Sequence, residues 1–291
     1  QVEHPVTELT TGIDIVEEMI NVASGEPLRF KQNEISFDGC AMEVRVYAED
    51  PSKDFMPSAG RLTKYFPPEE FKSEKKIIRN DSGVFEGSNI SFKYDPMISK
   101  LCVWASTRKE TLEMIQEALT SFRIEGIKNN LNFLSDILSK EKFLKGQFTT
   151  SFLDREYPNG FLGVNLSDND FEYLASAALS LFKFCASDRN IQSALPTKTF
   201  ANDPEEYFIH FNNTKMQLSW SSSEGHHLIK NKNKKKFLVK INTFSFNRPT
   251  KIKVNSRNLN LWCQRRTDGF LIKWKGYEGE LKIYPFEISK M

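Results

Sequence analysis

Apolar residues recur along the first half of the chain with two different periods. In GIDIVEEMINVASGEP, Ile13, Val16, Met19, Ile20 and Ala23 lie three or four apart, which predicts a helix with an apolar stripe. Gly25 is placed to end it in the left-handed conformation. CAMEVRVYAED alternates instead. Met42, Val44, Val46 and Ala48 fall on one side and Ala41, Glu43, Arg45 and Tyr47 on the other, which predicts a strand with one apolar face. The helical period returns in TRKETLEMIQEALTSFRIEG. There Thr107 and Glu110 have capping-box spacing, and Leu112, Ile115, Leu119 and Phe122 form the stripe. Leu131, Leu134, Ile137 and Leu138 mark a further helix.

Near REYPNGFLG the pattern changes, with Pro158, Asn159 and Gly160 reading as a turn or linker. One helix follows, capped by Ser167 and Asp170. Its apolar residues Phe171, Leu174, Ala178, Leu181, Phe182 and Cys185 cover a broad surface. From about residue 205 only short alternating runs remain: EYFIHF, MQLSW, KFLVKI, TKIKV, NLNLWC, GFLIKW and GELKIY. Seven such strands predict an antiparallel meander closing into a barrel, with the preceding helix as its filling. The lysine run KNKNKKKF reads as a solvated turn between strands, and SSSEGHHLIK as a loop that exposes His226 and His227. His210, inside a strand, reads as structural, and Trp220, Trp262 and Trp274 as barrel core or interface. The fold class expected is α+β over residues 1–160, followed by a helix-centred antiparallel β-barrel over 161–291.

Composition narrows the function. With 40 Lys and Arg against 38 Asp and Glu the chain carries +2, far from the basic excess of a dedicated nucleic-acid binder. Cys40, Cys102, Cys185 and Cys263 are far apart, with no paired Cys or Cys/His spacing, so free thiols in a reducing compartment are expected rather than disulfides or a zinc site. No apolar run reaches the length that crosses a bilayer, and no signal or transit peptide is visible.

Candidate chemistry concentrates early. Glu43 and Arg45 are two apart on the predicted strand and share the face opposite its apolar one. Such a pair reads first as a plain salt bridge; a fixed guanidinium can also stabilise a developing oxyanion. Glu3 is an acid suited to general-base work, but spacing does not bring it to Arg45.

Five blocks, QVEHPVTELTTGIDIVEEMI, AMEVRVYAEDP, GRLTKY, YDPMISKL and GIKNNLNFL, occur in an order and spacing that resemble the biotin carboxylase family over residues 1 to about 155. The resemblance implies the C-terminal portion of an ATP-grasp enzyme, a ligase that loads carbon dioxide onto biotin. SFLDREYPNGF, the helix and the meander ending GELKIY resemble the α subunits of propionyl-CoA carboxylases, in which a helix-centred barrel joins the biotin carboxylase part to the carboxyltransferase β subunit.

By that resemblance Glu3 matches the base that deprotonates bicarbonate, and Gln1 and Val2 match positions lining the bicarbonate site. Arg45 matches the arginine that contacts biotin and holds negative charge on its ureido oxygen, and Phe55 matches a position assigned to biotin contact. Asp95 and Lys100 match family-typical positions whose role is packing, a subunit interface or catalysis. The cofactors implied are biotin, ATP and Mg2+ or Mn2+, and no metal ligand is expected within this chain. The partners implied are the carboxyltransferase β subunit, through residues 161–291, and the biotinyl domain of the same parent chain, with no nucleic acid and no membrane. The expected location is a bacterial cytoplasm or a mitochondrial matrix. The resemblance also implies a piece of a longer chain, with the glycine-rich loop, ATP lysines and metal carboxylates before Gln1 and the biotin-bearing lysine after Met291. The piece alone is then expected to be inactive and to serve at most in assembly. The α subunits of methylcrotonyl-CoA or acetyl-CoA carboxylases are the alternative within the family.

Overall fold

A computed structural model of the chain describes residues 4–192, 206–211, 214–223, 226–246 and 248–286. It divides into two units, Gln1–Gly163 and Val164–Met291.

The alternation of CAMEVRVY forms β1 (Cys40–Tyr47) of the first unit, preceded by helices α1 (His4–Thr11) and α2 (Ile15–Ala23). β2 (Phe71–Lys72), β3 (Lys76–Ser82) and β4 (Met97–Ala105) complete an antiparallel sheet in the order β1-β4-β3-β2. Helices α3 (Arg108–Ser121) and α4 (Leu131–Ile137) follow. The apolar face of the sheet, with Val44, Val46, Leu101 and Val103, packs on Leu112, Ile115 and Leu119 of α3. Each such fully buried aliphatic side chain contributes about 1.5–3 kcal/mol. α3 starts where Thr107 accepts the Glu110 N–H, so one of the orphan donors of its first turn is satisfied. α1 lies against β1 and β4.

α2 departs from its own pattern. Asp14 caps it by accepting the Glu17 N–H at 2.9 Å, and Gly25 follows it at φ 89°. Yet Val16, Met19 and Ile20 are 50%, 66% and 62% exposed. The stripe that should face a core faces outward.

The second unit is built on α5 (Asp168–Gln192). β5 (Glu206–Phe211), β6 (Thr214–Ser223), β7 (His226–Asn231), β8 (Lys236–Thr243), β9 (Thr250–Val254), β10 (Arg257–Arg266), β11 (Gly269–Trp274) and β12 (Tyr277–Pro285) form a closed antiparallel barrel in chain order, with β12 pairing back onto β5. The strands send alternate residues inward, among them Ile209, Leu218, Ile229, Val239, Ile252, Leu261 and Ile272. Leu174, Ala175, Ala177, Ala178, Leu179 and Leu181 of α5 are completely buried. A helix apolar on all sides must be enclosed, and α5 meets every strand of the barrel. Its alanines keep it thin enough for the interior of an eight-stranded barrel.

The barrel corrects two expectations. It has eight strands rather than seven, and the additional one is the segment expected to be a loop. His226 and His227 therefore lie on β7, and both are half-buried. The His227 ring packs edge-on against Trp220, and Lys183 of α5 sits 4.0 Å over the same indole while approaching the Tyr207 hydroxyl at 3.2 Å. Trp262 and Trp274 are buried, and Trp220 packs against the core.

Candidate active site

Strand register assembles a polar face on the side of the sheet away from α3. Arg45 is paired with Lys100, which is paired with Asp81, and Glu43 is paired with Cys102, which is paired with Arg79. Three cations thus stand within three strands. Glu43 Oε1 accepts from Arg45 Nε at 3.1 Å, with the Glu43 side chain 10% exposed and that of Arg45 34% exposed. This bond and one to the Tyr47 side chain hold the Arg45 guanidinium above its ordinary pKa. The second Glu43 oxygen is buried without a hydrogen-bond partner. A buried unpaired carboxylate oxygen is a position that welcomes a donor.

Arg79 binds its neighbours more completely. Its Nε and Nη2 reach the two Asp81 oxygens at 2.7 and 2.8 Å, and its Nη1 reaches Glu8 of α1 at 2.7 Å. Asp81 and Glu8 raise the Arg79 pKa against the cost of burial. The other Glu8 oxygen accepts the Ile15 N–H at the start of α2. One carboxylate thereby ties α1, α2 and the sheet together. Cys102, between Glu43 and Arg79, has its thiol pushed up to about 12, first by burial and then by Glu43 and Asp81.

α1 begins at His4, and Gln1, Val2 and Glu3 lie outside the described residues. Phe55 follows Asp54 with both residues at positive φ, 57° and 51°. For a bulky residue this is strained backbone. Its ring packs edge-to-face on Phe133 at 4.8 Å. Asp95 is exposed and accepts the Met97 N–H at 2.9 Å, a local turn bond.

Asn130, of the GIKNNLNFL block, is a positioning residue that sequence reasoning did not single out. It is 4% exposed. Its side chain accepts the Tyr47 N–H at 2.9 Å and donates to the Arg45 carbonyl at 3.0 Å and to Glu49 at 3.2 Å. These bonds fasten the end of β1, where a bulge interrupts the register between Val46 and Tyr47. Glu49 is half-buried, and burial raises its pKa against the Asn130 bond.

Among the described residues no cluster of three or more His, Cys, Asp or Glu could hold a metal ion. No helix among them is long and apolar enough to cross a membrane. All four cysteines are free thiols.

Comparison with known proteins matches two stretches of the first unit. Residues 1–31 match the ATP-binding domain of the carbamoyl-phosphate synthase L chain, and residues 43–155 match the biotin carboxylase C-terminal domain. The chain is 49% identical over 198 residues to the propionyl-CoA carboxylase alpha chain of Ruegeria pomeroyi, covering 63% of this chain and 29% of that one. It is 47% identical over 183 residues to the mitochondrial human propionyl-CoA carboxylase alpha chain, covering 62% and 25%. A solved structure of the biotin carboxylase domain of a thermophilic 2-oxoglutarate carboxylase bound to bicarbonate is 40% identical, with a TM-score of 0.51 over 54% of this chain and 34% of that one. The chain spans between a quarter and a third of the length of these relatives. Residues 43–155 thus form a biotin carboxylase C-terminal domain, and the chain resembles the C-terminal portion of ATP-grasp biotin carboxylases and the propionyl-CoA carboxylase alpha chains, with a helix-centred barrel following that domain.

Proposed function

We propose that the chain is part of the α subunit of a biotin-dependent acyl-CoA carboxylase, which uses ATP and bicarbonate to carboxylate biotin for transfer to propionyl-CoA, giving methylmalonyl-CoA. The observation that carries this reading is the fixed guanidinium of Arg45, held by Glu43 on a sheet face that also bears Lys100 and Arg79. Three cations suit a site through which bicarbonate and phosphate pass. Biotin, when bound, supplies a ureido nitrogen that accepts the carboxyl group. The partly exposed Arg45 fits the ureido oxygen, where a permanent cation holds negative charge in place as it develops. In this reading Glu3 takes the bicarbonate proton, Gln1 and Val2 line the bicarbonate site, and Phe55 touches biotin.

ATP, Mg2+ or Mn2+ and the residues that hold them belong to the remainder of the relatives' length, and no step here is assigned to them. We assign the barrel to assembly with the carboxyltransferase β subunit, and the biotinyl domain to a further part of the parent chain. The propionyl assignment rests on the likeness to propionyl-CoA carboxylase alpha chains. The location is a bacterial cytoplasm or a mitochondrial matrix.

The test is bicarbonate-dependent ATP hydrolysis with free biotin, measured on this chain and on one extended upstream through the ATP-binding half. The expected result is no turnover for the shorter chain and turnover for the longer one, with Glu3→Gln or Arg45→Lys in the longer chain lowering kcat about 100-fold or more. Turnover by the shorter chain, or full activity of both variants, overturns the reading.

A further inference from the structure

Charge is spread unevenly along this nearly neutral chain. Residues 226–267 contain twelve Lys and Arg and no Asp or Glu, although the whole chain carries only +2. β7, β8, β9 and β10 come from this stretch, so barrel closure gathers it on one side of the wall. Strand alternation then sorts it. On β8, Phe237 and Val239 are buried inside while Lys236, Leu238 and Lys240 are exposed. On β9, Ile252 and Val254 are inside while Lys251 and Lys253 are exposed. Lys230 is exposed in the same way on β7.

Register then sets like charges against each other. Lys230 is directly across from Lys236, and Lys240 from Lys253. Like charges in opposition destabilise an antiparallel pair. Cations at the margins are neutralised: Lys235 pairs with Glu172, Arg257 with Asp170 and Arg266 with Glu280. Among the described residues the five lysines of the face have no such ion pair. In their midst Leu228 is paired across strands with Leu238, which is 49% exposed.

We propose that the outer face of β7, β8 and β9 is a docking surface for a partner protein whose contact surface is acidic. A carboxylate-rich surface supplies the counter-charges that the barrel itself withholds, and so converts a repulsive array into an attractive one. The apolar Leu228–Leu238 pair inside a charged rim is the anatomy of a protein interface. The outward positions of β8 and β9 carry no aromatic residue on which bases would stack, and two leucines are too little apolar area for a lipid surface. The contact forms quickly and is salt-sensitive, because the charges steer the encounter and are screened beyond about 10 Å at 0.1 M salt. This inference does not depend on the catalytic reading of the first unit.

The test uses the full chain and labelled poly-L-glutamate as the acidic polypeptide, with binding followed by fluorescence anisotropy at 50 and 300 mM salt. A 20-base-pair DNA duplex and phosphatidylserine vesicles are measured alongside. The variant carries Lys→Gln at 230, 236, 240, 251 and 253. The control carries Lys→Gln at five exposed positions of the first unit, 53, 72, 75, 93 and 109. The expected outcome is binding to polyglutamate that weakens at high salt, falls tenfold or more in the face variant and stays within twofold in the control. An equal fall in both variants, no fall in the face variant, or tighter binding of DNA or vesicles through the same five lysines overturns the proposal. If the five-fold variant does not fold by circular dichroism, the pair Lys236→Gln with Lys240→Gln takes its place, with a threefold loss expected.

Discussion

The side-chain amide of Asn130 donates to the backbone carbonyl of Arg45 at 3.0 Å, across 85 positions of sequence. The backbone of Arg45 is thus held by a side chain from a distant part of the sequence. Replacing Asn130 with Ala leaves the Tyr47 N–H and the Arg45 carbonyl without this partner in a buried setting. The expected cost is about 2–4 kcal/mol, read as a lowered urea midpoint. An unchanged midpoint would mean that water replaces the amide freely.

Gly39 leads into β1 at φ 62°, and a Cβ there would lie 2.6 Å from both the Ala105 carbonyl oxygen and the Trp104 ring nitrogen. That nitrogen donates to the Asp38 carbonyl, so Trp104 is not free to swing away without losing a bond. Gly39→Ala is expected to destabilise the chain by about 2 kcal/mol or more, since backbone strain and overlap add. Thermal unfolding measures it, and a shift of less than a degree would contradict the geometry.

The exposed stripe of α2 gives a test with two readouts. Met19→Glu with Ile20→Glu replaces side chains that are already 66% and 62% exposed. Stability of this chain should change by no more than about 0.5 kcal/mol. In a chain extended upstream, the same pair should abolish biotin-dependent ATP hydrolysis, because residues 1–31 match an ATP-binding domain whose remaining core would cover that stripe. Retained activity in the extended variant would show that nothing packs there.

Thiol reactivity should separate the cysteines. Cys40 is half-buried, whereas Cys102, Cys185 and Cys263 are buried. Burial pushes the Cys102 thiol up to about 12 and raises that of Cys263 as well. The thiolate is the reactive form. At pH 8 a thiol reagent should label one cysteine per native chain within minutes and four in urea, with Cys40→Ser removing the fast one.

Two histidines give the barrel a pH dependence. Burial, followed by Lys183, lowers the pKa of His227, and burial, followed by Lys215 and Lys282, lowers that of His210. The folded state then binds fewer protons than the unfolded state, whose histidines titrate near the ordinary value of about 6.5. Their contribution is fully present above that value and is lost as pH falls from it toward the folded pKa. The urea midpoint should drop between pH 7.5 and 5.5, and His227→Gln with His210→Gln should flatten that drop. An equal drop in the double variant would assign it to carboxylates.

Sequence pattern carried the elements wherever one face meets water and the other a core. β1 and α3 follow from Val44 and Val46 and from Leu112, Ile115 and Leu119, because alternation and helical stripes report burial directly. β7 escaped because His226, His227 and Asn231 interrupt the alternation, leaving Ile229 as its one fully buried position. α2 was legible as a helix but not as an exposed one, since a stripe shows that a partner is needed and not whether it is there. Arg45 and Glu43 could be picked out by chemistry two residues apart. Asn130 could not, because a side-chain bond to distant backbone leaves no local periodicity. The Glu8–Arg79 clamp was hidden for the same reason, with 71 positions between its partners.

The barrel has a directional consequence for how the second unit is made. α5 is translated before any of the eight strands, and the seam that seals the wall joins β5, the first strand, to β12, the last. A ribosome therefore releases an apolar rod well before its enclosure exists, and the final seam waits for residues up to Pro285. Pairings this remote in sequence form slowly. Until that seam closes, Leu174, Leu179 and Leu181 are open to association with other nascent chains, so the interval between helix and last strand is when this unit most needs a chaperone.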